Sequence, residues 1–236
     1  IQWYPGHMTK TRRMIAEQMK HMDAVCEILD ARIPLSSRNP DVEELTAGKP
    51  RLVVLNRTDQ ADPAGTARWR EHFQGKGYAV LECNAKAGQG TAKFAAAVRE
   101  LLSDKIAAYA EKGQTGRMMR VMILGIPNVG KSTFINRVAG RKTAKAEDRP
   151  GVTRSKQWVP IGRNLELLDT PGILWPKFED QSVGLNLAYT GAVKDEIMDL
   201  EELGCHLMAY LGANYPEALA ACYKLPELPQ REDGEN

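Results

Sequence analysis

Short apolar runs, each bounded by polar or turn-forming residues, recur through most of the chain. Six of them stand at Ala24–Leu29, Leu52–Leu55, Ala79–Cys83, Val121–Leu124, Trp158–Ile161 and Leu165–Leu168. They are rich in Val, Ile and Leu, a composition typical of buried strands. Apolar positions at helical spacing occur between several of these runs, at about 63–75, 91–111 and 131–139. This alternation predicts an α/β fold, with a six-stranded, mostly parallel sheet and helices on both faces.

The two ends of the chain differ from this alternating pattern. Residues 1–22 predict a short loop followed by an amphipathic helix, and the apolar runs stop after about Trp175. Helical patterns without strands then follow at 181–192, 195–211 and 215–223. We therefore expect two domains, an α/β domain at 1–177 and a small all-helical domain at 178–236. Within the first, the stretch at about 101–120 is predicted to be an internal join.

A phosphate-binding pattern spans residues 125–132, the phosphate loop, with four residues between two glycines and then Lys-Ser. The loop follows a predicted strand and precedes a predicted helix, which is the setting in which backbone N–H groups curl around phosphates. Lys131 would reach the outer phosphates, and the Ser132 hydroxyl would ligate Mg²⁺. The candidate nucleotide-binding residues here are Gly125, Pro127, Asn128, Val129, Gly130, Lys131, Ser132 and Thr133. The sequence thus predicts a P-loop nucleotide-binding fold.

Two downstream segments complete a predicted Mg²⁺ and third-phosphate site. Asp169-Thr-Pro-Gly172 ends the last apolar run, so Asp169 would hold the Mg²⁺ shell and the Gly172 amide would contact the third phosphate. Thr153 lies in a Pro-Gly loop between the phosphate loop and Asp169, where a switch threonine would complete the metal shell. The alternative for Thr153 is an ordinary turn residue.

A second set of residues predicts which base is bound. Asn56-Arg57-Thr-Asp59 closes the second apolar run. The Asp59 carboxylate would accept hydrogen bonds from the N1–H and exocyclic amine of guanine, whereas adenine would leave it desolvated and unpaired, at a cost of ~1–3 kcal/mol. Asn56 would tie the loops together, and the stem of Arg57, which replaces the usual Lys, would lie over the base.

The third apolar run is followed by Asn84-Ala85-Lys86, which fits a further base-contacting loop. In this interpretation the Ala85 amide faces the guanine oxygen. The pattern is loose by itself, and its position after a predicted strand is what favours it.

Basic and acidic side chains are unevenly distributed. The formal net charge is only +2, from 32 Lys and Arg against 30 Asp and Glu. Residues 1–193 contain 29 basic and 20 acidic side chains (+9), whereas 194–236 contain 3 and 10 (−7). Eight basic side chains surround the predicted switch: Arg137, Arg141, Lys142, Lys145, Arg149, Arg154, Lys156 and Arg163. Solvated faces usually explain such runs, but their place at the switch favours RNA phosphates as the partner.

The composition excludes other classes of protein. A hydrophobic content of 43% with 26% charged residues is typical of a globular protein. No apolar stretch approaches the ~18 residues of a membrane span. The four cysteines share no close spacing, which favours reduced thiols of an intracellular protein over a disulfide framework or a zinc site.

The order of the motifs is unusual. The base-binding residues Asn56–Asp59 and Ala85 precede the phosphate loop and Asp169, the reverse of the order in ordinary GTPases. Contacts in a folded site are spatial, so a chain can be rejoined elsewhere when its natural ends lie close together. The join at about 101–120 would be that connection, and the sheet is therefore predicted to be circularly permuted.

With these motifs in this order, the chain resembles the circularly permuted ribosome-assembly GTPases of the YlqF/RbgA type. The residues that carry the resemblance are Trp3-Tyr-Pro-Gly-His7-Met8, Asp30-Ala-Arg-Ile-Pro34, Asn56–Asp59, Gly125–Thr133, Pro150–Thr153 and Asp169–Gly172. The resemblance implies a GTPase that acts in assembly of the large (50S) ribosomal subunit, with GTP/GDP and Mg²⁺ as ligands. It also implies ribosomal RNA and proteins as partners, and a longer helical domain than 178–236 provides. We further expect a cytoplasmic location and a monomer off the ribosome.

Hydrolysis needs a group that orients water. The residue after Gly172 is Ile173, which has no polar atom on its side chain for this task. His7 is the candidate, since an imidazole polarises water near neutral pH, and the resemblance assigns it this role. The alternative is that His7 only packs the N-terminal loop. Lys131, Thr153 and Gly172 are the other predicted catalytic residues.

Asn128, inside the phosphate loop, is a candidate K⁺ ligand by similarity to potassium-stimulated GTPases; simple hydrogen bonding within the loop is the alternative. Two further hypotheses about function stay open. A binding scaffold with incidental hydrolysis is suggested by Ile173. An adenine-nucleotide ATPase or small-molecule kinase is disfavoured by Asn56–Asp59.

Overall fold

The computed structural model describes residues 6–140, 157–175, 180–193 and 199–224. Six strands in these ranges form one sheet of order β3-β2-β1-β4-β6-β5, parallel except for β5, which runs antiparallel to β6. The strands are β1 (Ala24–Asp30), β2 (Arg51–Asn56), β3 (Ala79–Cys83), β4 (Met119–Leu124), β5 (Gln157–Ile161) and β6 (Leu165–Asp169). The prediction of a six-stranded, mostly parallel sheet is confirmed.

The burial of the strands explains their composition. Every residue of β1 and β2 is buried, so both faces of the sheet centre are covered, as continuous apolar runs require. The edge strand β5 alternates instead: Val159 and Ile161 are buried, whereas Trp158 is 36% exposed.

The helices are α1 (Gly6–Met19), α2 (Asp41–Leu45), α3 (Pro63–Gly75), α4 (Phe94–Leu101), α5 (Ser103–Glu111), α6 (Lys131–Ala139), α7 (Gln181–Tyr189), α8 (Leu200–Asn214) and α9 (Pro216–Tyr223). The single helix predicted at 91–111 is divided into a 3₁₀ turn, α4 and α5. Leu102, with φ −104° and ψ 13°, interrupts the helical backbone and is buried. The pattern did not predict α2, because five residues are too few to show helical periodicity.

Helices cover both faces of the sheet. On one face, Ile15 and Met19 of α1 pack against Val25 of β1 in a buried apolar cluster. Cys26 and Ile28, whose side chains point to the other face, are also fully buried. The three-layer arrangement predicted from the sequence is thus confirmed.

Two compact units, Ile1–Lys194 and Asp195–Asn236, make up the chain. The sequence placed the boundary after residue 177 and α7 in the helical domain. In the structure α7 belongs to the first unit, because Leu187 is fully buried and Asn186 donates a hydrogen bond to Ser36 Oγ (3.0 Å).

The second unit contains α8 and α9. Asp199 caps α8 by accepting from the N–H groups of Glu201 and Glu202, both at 3.0 Å. Leu219 is its buried apolar side chain among the described residues. In the part of the chain that the structure describes, no helix is long and apolar enough to cross a membrane.

Candidate functional site: a nucleotide-binding edge

The predicted base and phosphate motifs meet at one edge of the sheet. The strands β3, β2, β1, β4 and β6 are parallel neighbours, so their carboxyl ends share an edge. Asn56 ends β2, the phosphate loop follows β4, and Asp169 ends β6. Ligands of open α/β sheets bind at this edge. Motifs far apart in the chain therefore form one site.

The backbone of the phosphate loop depends on its glycines. Gly125 has a φ of +155° and Gly130 a φ of +97°. A Cβ on Gly125 would lie 2.7 Å from the Ile28 carbonyl oxygen, and one on Gly130 would collide with Nδ2 of Asn56. Glycine is thus required at both positions for the loop to pack against β1 and β2.

Asn56 joins the two halves of the site. Its Nδ2 donates to the Val129 carbonyl in the phosphate loop (2.9 Å), and its Oδ1 accepts from the Ala85 N–H (3.0 Å). Its side chain is buried, so both bonds are made away from water, where an unpaired amide would be costly. An aspartate could not donate to Val129, which is why an amide is needed here.

Arg57, which is partly exposed, also connects the end of β2 to the phosphate loop. Its backbone is left-handed (φ 64°), its Nη2 donates to the Asn128 carbonyl (2.7 Å), and its Nε lies 3.8 Å from an Asp30 carboxylate oxygen. The Arg57 side chain thus connects the segment after β2 to the phosphate loop. Arg in place of Lys keeps this bridge and adds the contact to Asp30.

The loop after β3 differs from the expectation in one respect. The Ala85 N–H, expected to face the guanine oxygen, is occupied by Asn56 Oδ1, and Asn84 Oδ1 accepts from the Ala87 N–H (3.0 Å). Within the described residues, the amide of Lys86 has no hydrogen-bond acceptor. That amide is thus the donor of this loop left for a base. Asp59 is exposed in a 3₁₀ turn, and Thr58 of that turn donates to the Cys83 carbonyl at the end of β3 (3.2 Å).

Arg137 of α6 holds this loop in place. Its Nε donates to the Ala85 carbonyl (3.2 Å), and its Nη2 to the Lys86 carbonyl (2.5 Å). The sequence grouped Arg137 with the basic residues expected to meet RNA, whereas the structure uses it inside the site. A guanidinium with several donors in one plane suits two neighbouring carbonyls.

Lys131 and Asp169 are buried together beneath the phosphate loop. Lys131 Nζ donates to the carbonyls of Gly125 (3.2 Å) and Ile126 (2.8 Å). Burial lowers the pKa of the Lys131 ammonium to about 8, and burial raises the pKa of the Asp169 carboxyl to about 6. Burial thus disfavours the charged form of both side chains. Anionic phosphates would stabilise the charged Lys131, and a cation would stabilise the charged Asp169.

Asp169 fits a divalent cation. Its Oδ1 is buried and has no hydrogen-bond partner among the described residues. A buried carboxylate oxygen without a partner is costly, and carboxylate oxygens are ligands that Mg²⁺ prefers. Ser132 and Thr133 follow Lys131 in the first turn of α6.

Gly172 lies directly on the phosphate loop. A Cβ at this position would be 2.6 Å from the Pro127 nitrogen and 2.8 Å from its Cα. The next residue, Ile173, donates its N–H to the Gly125 carbonyl (3.3 Å) and is 3% exposed, within the cluster that contains Ile15. Ile173 is thus a core residue that links α1 to the phosphate loop.

Gly172→Ala should disrupt the site with a modest loss of fold stability. The added methyl would push residues 172–173 off the phosphate loop, since neither backbone has room to move. We expect GTP affinity to fall by about tenfold or more and the free energy of unfolding to fall by ~1–3 kcal/mol. Isothermal titration and chemical denaturation measure the two effects. Gly204→Ala, inside α8 where a Cβ meets nothing within 4 Å, is the control: it should leave GTP affinity unchanged and should not lower the free energy of unfolding, since Ala favours a helix over Gly.

Asn128 is held by a contact that the sequence did not predict. Its backbone is left-handed (φ 57°), and its Nδ2 donates to the Gly191 carbonyl just after α7 (2.7 Å). Asn39, in the loop after β1, similarly donates to the Ile173 carbonyl (3.3 Å). These long-range amide bonds carry no local sequence signal.

Thr153 and the side chain of His7, both predicted catalytic, lie outside the described residues.

Comparison with known proteins shows the family to which the chain belongs. The family described as a 50S ribosome-binding GTPase matches residues 120–208. Ribosome biogenesis GTPase A of Bacillus cereus is 51% identical over 98% of this chain and 78% of its own length, and that of Bacillus licheniformis is 51% identical over 98% and 81%. The GNP-bound structure of YlqF from T. maritima has a TM-score of 0.62 at 25% identity, covering 86% of this chain and 75% of its own. The chain therefore belongs to the ribosome biogenesis GTPase A family of circularly permuted GTPases.

Proposed function

We propose that this protein binds GTP with Mg²⁺ at the carboxyl edge of the sheet and hydrolyses it while it assists assembly of the large ribosomal subunit. The observation that carries the proposal is the double hydrogen bond of Asn56, which joins the base-binding loops to the phosphate loop in spite of their order in the chain. Family membership supports the GTPase activity and the role in ribosome assembly.

Guanine would be recognised by Asp59 and the Lys86 amide. The carboxylate accepts from N1–H and the exocyclic amine, and the amide donates to the guanine oxygen. Arg57 would lie along the base, since its tip is fixed on the Asn128 carbonyl. Asn84 and Ala85 support this loop through its internal hydrogen bonds, and we assign them no direct contact.

The phosphates would occupy the loop at the start of α6. The Lys131 ammonium would donate to phosphate oxygens in place of the two loop carbonyls. Their negative charge would stabilise its buried positive charge. Ser132, Asp169 and Thr153 would hold Mg²⁺, which neutralises charge on the outer phosphates. The Gly172 amide would contact the third phosphate, a role supported by the close approach of Gly172 to Pro127 of the phosphate loop.

Water activation is assigned to His7, because Ile173 is buried in the core and has no polar side-chain atom. His7→Ala should keep GTP affinity and lose most of the hydrolysis that large subunits stimulate, about 100-fold. Equilibrium binding and single-turnover assays separate the two effects. His206→Ala, at an exposed position of α8, should change neither. Unchanged turnover in His7→Ala would remove the assignment.

Asn128 would ligate K⁺ through Oδ1, while its Nδ2 stays on the Gly191 carbonyl. Turnover should therefore be faster in KCl than in NaCl, and equal rates in the two salts would remove this role.

The basic residues around Thr153 would dock on ribosomal RNA when GTP orders the switch, and hydrolysis would release the factor. We place this cycle in the cytoplasm, with the protein a monomer off the ribosome.

A further inference from the structure

The amino edge of the sheet carries two adjoining cavities that the nucleotide site does not use. The edge lies at the starts of β1 and β4, one strand length, roughly 20 Å, from the phosphate loop. The first cavity is about 390 Å³ and the second about 320 Å³, and Tyr109 and Arg117 line both. We call this pair of cavities the amino-edge site.

The first cavity is strongly basic. Five Lys and Arg side chains line it against one carboxylate: Lys20, Lys49, Lys105, Arg117, Arg120 and Asp23. The carboxylate of Asp23 is already used by Lys105 (2.5 Å) and by the Arg120 N–H (2.8 Å). Arg120 also pairs with Glu166 (2.7 Å).

Positive charge remains after these pairs are made. Within the described ranges, Arg117 donates to the neutral Gln114 Oε1 (3.1 Å) and has no carboxylate partner, and Lys20 has no ion pair. Lys49 donates to the neutral Met22 carbonyl (2.7 Å). The cavity is therefore complementary to an anion with several oxygens, such as a phosphate group.

The second cavity has mostly apolar walls and two amides. Val98, Ile106, Met119 and Leu165 supply apolar surface, and Gln114 and Asn164 supply donors and acceptors. On the wall between the two cavities the Arg117 guanidinium lies 4.2 Å from the centre of the Tyr109 ring. Aromatic rings and guanidinium planes are the surfaces on which unstacked bases rest.

We propose that the amino-edge site binds an RNA strand, with backbone phosphate in the basic cavity and one unstacked base in the apolar cavity against Tyr109 and Arg117. A nucleotide unit has a phosphate next to a flat ring with hydrogen-bonding groups, and these match the two cavities. An acidic peptide has carboxylates but no such ring beside them. The segment that joins the two halves of the permuted domain supplies Lys105, Tyr109 and Arg117. It thus adds a second RNA contact, on the edge opposite the GTP site.

The test uses the full chain and a short fluorescent single-stranded RNA, with anisotropy measured over a range of salt. The double charge reversal Lys20→Glu/Arg117→Glu should weaken RNA binding by about tenfold or more and lower the salt slope by about two. GDP affinity should not change, which also shows that the variant is folded. Arg68→Glu/Lys76→Glu, two exposed charges on and just after α3, is the matched control. Equal loss in the control, or no loss in the variant, would overturn the proposal.

Tyr109→Ala tests the base. It should weaken RNA binding by about fivefold or more, as expected for one lost stacking partner, and leave binding of inorganic polyphosphate unchanged. An equal loss for polyphosphate would overturn the placement of the base. Displacement of the RNA by poly-glutamate as effectively as by unlabelled RNA would assign the site to acidic protein instead. Displacement by millimolar AMP alone would assign it to a free nucleotide. GTP turnover is measured in the same variants as a separate readout. Loss of RNA binding at the amino-edge site and loss of GTPase activity can therefore be told apart.

Discussion

Asp59→Asn is expected to exchange guanine specificity for xanthine specificity. The Asp59 carboxylate would accept two charge-assisted hydrogen bonds from guanine, whereas an asparagine amide places a donor where the exocyclic amine lies. GDP affinity should therefore fall by roughly 100-fold or more. Xanthine carries an oxygen in place of that amine, so XDP should bind the variant more tightly than GDP. Competition between labelled GDP and unlabelled XDP or ADP measures the change.

The control for this substitution is Asp104→Asn, a second exposed carboxylate in the first turn of α5. It should keep the preference for GDP. If Asp59→Asn binds GDP as tightly as the unchanged protein does, or if ADP competes with GDP in the unchanged protein, guanine recognition by Asp59 is wrong.

Asp169→Asn should stabilise the nucleotide-free protein while it abolishes Mg²⁺-dependent binding. The Asp169 carboxylate is buried and one of its oxygens has no partner among the described residues, so removal of its charge should raise the free energy of unfolding by ~1–3 kcal/mol. The same change removes a proposed Mg²⁺ ligand, and GTP affinity in Mg²⁺ should fall roughly tenfold or more. If Asp169→Asn raises the free energy of unfolding but lowers GTP affinity, the carboxylate serves binding and not stability of the fold.

The pH dependence of stability follows from the same pair of groups. Burial raises the pKa of Asp169 to about 6, so from about pH 4 to 6 the folded state keeps a proton that the unfolded chain has released, and stability falls as pH rises. Burial lowers the pKa of Lys131 to about 8, so from about pH 8 to 10 the folded state has lost a proton that the unfolded chain keeps, and stability rises with pH. Denaturation at pH 5 and pH 7 should show the fall, and Asp169→Asn should make it smaller.

The sequence was sufficient for the sheet and for the motifs, because each is a contiguous pattern. Buried parallel strands appear as short apolar runs, and the phosphate loop has fixed spacing between Gly125 and Ser132. The permuted order required only that Asn56–Asp59 and the phosphate loop be recognised as parts of one site. The parallel sheet then brings them together at its carboxyl edge.

The remaining features depend on contacts between distant residues. The Asn56–Val129 bond joins residues 73 positions apart, and the Asn39–Ile173 bond joins residues 134 apart. No local pattern shows that Asn56 would take the Ala85 amide. Arg137 was grouped with the basic residues expected to contact RNA because a sequence shows that a side chain is charged. It does not show that Arg137 donates to the Ala85 carbonyl. The sequence likewise placed α7 in the helical domain, whereas α7 packs on the first unit through contacts such as Asn186 to Ser36, 150 positions away, which no local pattern shows.

Single-turnover GTP hydrolysis, with and without purified large ribosomal subunits and across a range of salt, tests the central claim most directly. We expect a slow rate for the protein alone, because Ile173 occupies the place of a water-orienting side chain. Large subunits should raise the rate by about tenfold or more, small subunits should not, and the stimulation should decline steeply as salt weakens phosphate contacts. A rate that large subunits leave unchanged would contradict the account and would instead favour a binding scaffold whose hydrolysis is incidental.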